Sequence, residues 1–300
     1  MTSRRMRIVT LLARHGAGKY QDALPAIRTL FSQQMPEVVH EIVVIDNALD
    51  QAHHEQLTHN VTLIGGDNAA WEFSAWDRGV AYLGHGLDGY DFVHLATSAF
   101  RQLYVRYLDR FDADMLGLIA GRAAAVGHID HYNSPVTLFG CRSQSWLRSA
   151  FVLLPPTELR LLGSLVGVTG RGGLFSGDPA APFRTDAPLS ASYRQNIRGW
   201  LTGEGTGQGT EWHSRFVLSE QTLDFFEDKA MTILNEQSLT NRLRAQGCSI
   251  VDATWLATCA GQSYPTMQSY PTGRPLQALP DWRVQLTSRD VDPVGPAILP

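Results

Sequence analysis

Residues 1–125 alternate short β-branched runs with amphipathic stretches, and that alternation leaves few folds open. Parallel neighbours need a crossover of a dozen or more residues between them, usually a helix. The pattern therefore predicts a mostly parallel sheet flanked by helices. Candidate strands are 7–13, 41–47, 61–66, 91–98 and 114–121. Between the first two, Ala23, Ile27, Leu30 and Phe31 recur at helical spacing, and Pro36 marks the exit. Phe73, Trp76, Val80 and Leu83 do the same before the fourth strand, and 100–111 reads as a further helix.

Past residue 140 the pattern loosens. An apolar segment, 146–154, is closed by Pro155 and Pro156 and followed by a helical pattern through Leu159, Leu161 and Leu162. From 167 to 212 glycine, proline and serine are dense. Such loops are usually binding loops or lids, or else disordered, and Tyr193, Trp200 and Trp212 are costly to leave in a spacer; a lid is expected. A helical block over about 220–246 ends at Gly247, in the place of a C-cap. The proline-rich tail from 261 is expected to wrap the surface in extended form.

Composition excludes several functions. With 44% hydrophobic residues among 300, the chain can bury a large core. A formal charge of -4 leaves no basic excess for a phosphate polymer, so nucleic acid is not expected as a partner. Cys141, Cys248 and Cys259 are far apart and odd in number, which fits neither a disulfide framework nor a metal cluster and points to a reducing compartment. The apolar run 8–13 is too short for a signal sequence, and no stretch approaches the ~18 apolar residues of a membrane span.

Three segments carry a resemblance. Residues 41–47 end a second strand on Asp46 and Asn47; 65–68 and 71–79 form a turn and helix containing Asn68, Asp77 and Gly79; and 235–247 hold Asn235, Glu236, Leu239, Arg242 and Gly247. Together these resemble the inverting family-two glycosyltransferases, nearest to the branch that builds rhamnan-type polysaccharides. The resemblance implies a glycosyltransferase-A fold over 1–260, with a nucleotide-binding half at 1–125 and an acceptor-binding half at 126–260 that includes the lid. It also implies a nucleotide-sugar donor, a glycan or lipid-linked acceptor, and a cytoplasmic protein, at the inner face of the membrane or free. The donor nucleotide, the sugar and the oligomeric state stay open.

By position in that family, Asp46 would accept from the nucleotide base, although strand-ending aspartates also cap turns. Asp77 either faces the donor or belongs to the helix packing. Glu236 stands at the catalytic base, and 236 and 243 differ by about 20° around a helix, which puts Glu236 over Leu243 on the buried side. The alternative makes Asn235 an N-cap and Glu236 a partner of the helix dipole. Trp146, Trp212, His213, Asn235 and Arg242 are assigned to the acceptor side and lid.

The family's divalent cation is held by a carboxylate pair just after the fourth strand. Here that place carries Thr97, Ser98 and Ala99, whose hydroxyls are poor ligands for a hard cation, so a metal is not expected to be required. Asp112 and Asp114 spell the carboxylate pair but fall later and read as a solvated turn. Arg14 and His15 after the first strand are expected to help neutralise a leaving diphosphate, with Arg142, Arg148 and His213 as further candidates.

Overall fold

The computed structural model describes residues 4–16, 18–102, 105–204, 216–261 and 279–290. Its strands are β1 (Arg7–Arg14), β2 (Val39–Asp46), β3 (His54–Thr58), β4 (Val61–Gly65), β5 (Phe92–Thr97), β6 (Ala124–Leu138), β7 (Cys141–Leu154) and β8 (Ser249–Asp252). The helices are α1 (Ala23–Gln34), α2 (Trp71–Leu83), α3 (Ala113–Gly117), α4 (Pro156–Leu162), α5 (Ala191–Thr202), α6 (Leu223–Ala245), α7 (Ala253–Gly261) and α8 (Trp282–Asp290). One mixed sheet runs in the order β3-β4-β2-β1-β5-β7-β6-β8. The run β4-β2-β1-β5 is parallel, β6 pairs β8 in parallel, and β3 and β7 pair antiparallel with β4 and β5.

The chain divides into two compact units: 1–129, 147–165 and 243–300 form the first, and 130–146 with 166–242 the second. In the first, the period of two in β1 sends Ile8 and Leu12 into one core with Ile27, Leu30 and Phe31 of α1. The opposite face packs on α2, whose buried Trp76 donates its indole N–H to the carbonyls of Leu11 and Ala96. At the end of β4 a Cβ on Gly65 would stand 1.7 Å from the Asp50 carbonyl oxygen, so only glycine fits there.

In the second unit, Tyr132 and Trp146 pack with ring centroids 4.6 Å apart, and Trp200 of α5 meets Trp146 edge-on at 5.9 Å. Phe226, Ala230 and Leu234 of α6 complete that core.

Several expectations change. Residues 114–121 are not a strand: Asp112 accepts from the Met115 N–H at 2.7 Å and caps α3, and the apolar run Met115, Leu116 and Ile119 is buried as a helical turn. Of the helix expected over 100–111, the described residues form a 3₁₀ turn, Arg106–Arg110. The segment 167–204 is not a bare loop, because Leu174, Phe175, Phe183 and Leu189 are buried and Ser190 caps α5. The described part of the tail is helical in α8 and not extended. Gly247, at φ +88°, closes α6 as expected, with the Cys248 N–H bonded to the Leu243 carbonyl at 2.9 Å.

Candidate functional site

The strand order places the site. The chain leaves β1 through α1 towards β2 on one side, and leaves β5 towards β6 and β7 on the other. The loops after these two adjacent parallel strands therefore diverge, and open α/β sheets bind ligands in such a crevice at the carboxyl ends of the strands. A hollow of about 320 Å³ lies there. Tyr20, Asp22 and Ala23 line it from the β1 side, and Ser98, Phe100, Arg101 and Gln102 from the β5 side.

Local bonds shape both walls. Ser98 donates its N–H to the Ala13 carbonyl at 2.9 Å, continuing the β1–β5 pairing one step past the strand end. Phe100 turns inward, buried against Phe151, and forms an apolar floor. Tyr20 sits at φ +61°, a conformation costly for a side chain of its size. Its hydroxyl donates to Gln102 Oε1 at 3.2 Å and so joins the two loops. Arg101 is exposed and makes no ion pair among the described residues.

Asp46, the last residue of β2, is 2% exposed and accepts three hydrogen bonds. Arg14 donates Nε–H to its Oδ2 at 2.7 Å, and Oδ1 accepts from the N–H groups of Gly16 at 2.7 Å and Ala48 at 3.0 Å. Burial pushes this carboxyl up, but the two backbone N–H groups and the Arg14 guanidinium outweigh it and hold it below its ordinary value. The structure thus brings Arg14 and Asp46 together as a pair that fixes the loop after β1.

Neither family models nor curated protein sequences give a match to this chain.

The remaining expected residues fall in several places. His15 is exposed in the loop after β1, Thr97 ends β5, and Ser98 follows it. Asn68 is exposed at φ +54° and accepts from Asn47 Nδ2. Asp77 takes the Leu165 N–H at 2.6 Å and the Ser164 hydroxyl, which makes it the anchor of the chain leaving α4. Asp91, at the amino end of β5, accepts from the Arg7 N–H, so it lies at the end of the strand away from the hollow. Among the described residues, no group of three or more His, Cys, Asp and Glu side chains is placed to hold a metal ion, and no helix is long and apolar enough to cross a membrane.

Trp146, Asn235, Glu236 and Arg242 belong to the second unit. Asn235 is buried and its Oδ1 accepts from the N–H groups of Gly167 and Val168 at 2.8 and 2.9 Å, while its amide donates to the Val168 and Met231 carbonyls. The next residue but one, Gln237, donates to the Tyr132 hydroxyl at 2.7 Å. Glu236 is half-buried between them in sequence. Since α6 begins at Leu223, Asn235 is not an N-cap and Glu236 is not a partner of the helix N-terminus. Trp146 is core, 2% exposed. Trp212 and His213 lie outside the described residues.

Sequence reasoning missed Tyr20, Arg101 and Gln102. The glycines at 16 and 18 marked the first loop as one that backbone can approach, but nothing local signals that it meets a loop more than eighty positions away.

Proposed function

We propose that the chain is a glycosyltransferase that moves a sugar from a nucleotide-sugar donor to a glycan or lipid-linked acceptor, on a fold of the glycosyltransferase-A type. The observation that carries this reading is the hollow between the loops after β1 and β5, at the place where open α/β sheets take nucleotides. Its volume, apolar floor and rim of Ser98, Arg101, Gln102 and Tyr20 suit a nucleoside with attached phosphate. The Arg14–Asp46 pair holds the first loop in shape.

The acceptor's proton goes to Glu236 in this reading, a role that rests on the resemblance of 235–247. A cytoplasmic setting near the membrane and a surface polysaccharide as product follow from the same resemblance. A non-catalytic nucleotide-sugar-binding or assembly protein is the alternative, favoured by Thr97 and Ser98 standing where the family that the sequence resembles carries its carboxylate pair. A melting-temperature screen across UDP-, GDP-, dTDP- and CMP-sugars tests binding, since a ligand stabilises by RT ln(1 + [L]/Kd). With the donor in hand, Glu236→Gln is expected to cut kcat by at least about 10²-fold with donor affinity unchanged. Normal turnover in that variant would end the assignment of the base; a wild type inactive on every donor it binds would favour the binding protein.

A further inference from the structure

This inference rests on the nucleotide-sugar reading and concerns how the donor's diphosphate is held. In transfer, the acceptor oxygen bonds to the anomeric carbon as the bond from that carbon to the phosphate oxygen breaks. The bonding pair goes to the diphosphate, which leaves with one more negative charge, and the acceptor's proton goes to the general base. Something in the crevice must meet that charge. A hard divalent cation needs several oxygen ligands with carboxylates among them. The donor set here does not fit one, since β5 ends in Thr97 with Ser98 after it, and among the described residues the hollow's lining holds a single carboxylate, Asp22.

The turn after β5 carries a different kind of charge. Arg101, three residues past Ser98, lines the same hollow and makes no ion pair among the described residues. Its guanidinium offers a fork of N–H donors that matches two phosphate oxygens. The neighbouring cations are less suited: Arg14 is committed to Asp46 at 2.7 Å, and Lys19 stands over the Tyr20 ring at 4.9 Å. We propose that Arg101 binds the donor diphosphate directly, in the position where the related enzymes use a metal ion.

The test is calorimetric titration in EDTA of wild type, Arg101→Ala and Arg101→Lys with UDP, GDP, dTDP and CDP, and with the matching nucleosides. Arg101 is exposed, so the variants are expected to melt as wild type does. The diphosphate that binds wild type should lose at least about tenfold in affinity in Arg101→Ala, with part restored by Arg101→Lys and the nucleoside unaffected. Adding Mg²⁺ or Mn²⁺ should change little. Equal affinity in wild type and Arg101→Ala, or binding that vanishes in EDTA and returns with the metal, overturns the role of Arg101 and leaves the nucleotide reading standing. Failure of the wild type to bind any of the four diphosphates overturns the role of Arg101, and failure to bind CMP as well, with or without added metal, overturns both.

Discussion

Arg14 donates its Nε–H to Asp46 Oδ2 at 2.7 Å, while the other oxygen of that carboxylate gathers the N–H groups of Gly16 and Ala48. A single side chain at the end of β2 therefore sets the course of the loop after β1. Asp46→Asn keeps an acceptor for the N–H groups but turns an NH₂ towards the guanidinium and leaves Arg14 without its counter-charge. The expected loss is about 2–4 kcal/mol of stability, together with weaker nucleotide binding through the displaced loop. Because the folded carboxyl lies below its ordinary 3.8, its contribution is complete above that value and is lost as pH falls through the folded value. Urea melts between about pH 2 and pH 6 should show this acid limb in wild type and not in the variant.

Buried histidines give a second pH dependence, at higher pH. Thr10 Oγ1 lies 2.7 Å from His40 Nε2 and 2.9 Å from His94 Nδ1, which links β2, β1 and β5 beneath Phe31. Burial lowers His40 from 6.5 to about 3, and burial followed by the charge of His40 lowers His94 well below 6.5. The unfolded chain takes up these protons first, so stability is full above the ordinary value and falls as pH drops below it. Between about pH 7.5 and pH 5, His40 alone accounts for about 2 kcal/mol. His40→Phe should remove that share of the slope, as read from denaturant melts at the two pH values.

The last described helix is part of the first unit's structure. Arg289 of α8 pairs with Asp252, which is 0% exposed, and donates to the Ile129 carbonyl at 2.7 Å. Gln285 accepts from the Asp252 N–H at 2.8 Å and donates to the Ile250 carbonyl at 3.2 Å. Ending the chain before residue 279 strips a buried carboxylate of its cation, and a loss of about 3–5 kcal/mol is expected. Arg289→Met in the full chain should reproduce much of it in a guanidinium melt; a truncated chain as stable as wild type would show that α8 merely rests on the surface.

Much of the sheet was legible because its periods are clean. The four apolar residues read as one face of α1, Ala23, Ile27, Leu30 and Phe31, are the ones α1 buries, and β1, β2, β4 and β5 fall where β-branched runs predicted them. The β6–β7 hairpin was hidden, because its turn is Phe139 and Gly140, at φ +49° and +77°, and a phenylalanine gives no turn signal. In 114–121, a short apolar run suits strand and helix alike, and the Asp112 cap decides it. Asp46 was legible as a strand end, but two of its three donors, Arg14 and Gly16, come from the end of β1 and the loop after it, about thirty positions away. The hollow is a meeting of two loops, and only the assembled sheet brings Tyr20 to Gln102.

The central claim is that the hollow between the loops after β1 and β5 holds the donor's nucleotide, and photo-crosslinking tests it most directly. An azido-base analogue of the nucleotide sugar that raises the melting temperature most would be irradiated with the intact protein, and the modified peptides sequenced. The account predicts labelling within 18–23 or 98–102, suppressed by excess unmodified nucleotide. Competable labelling confined to other segments, with both loops unmodified, would contradict it.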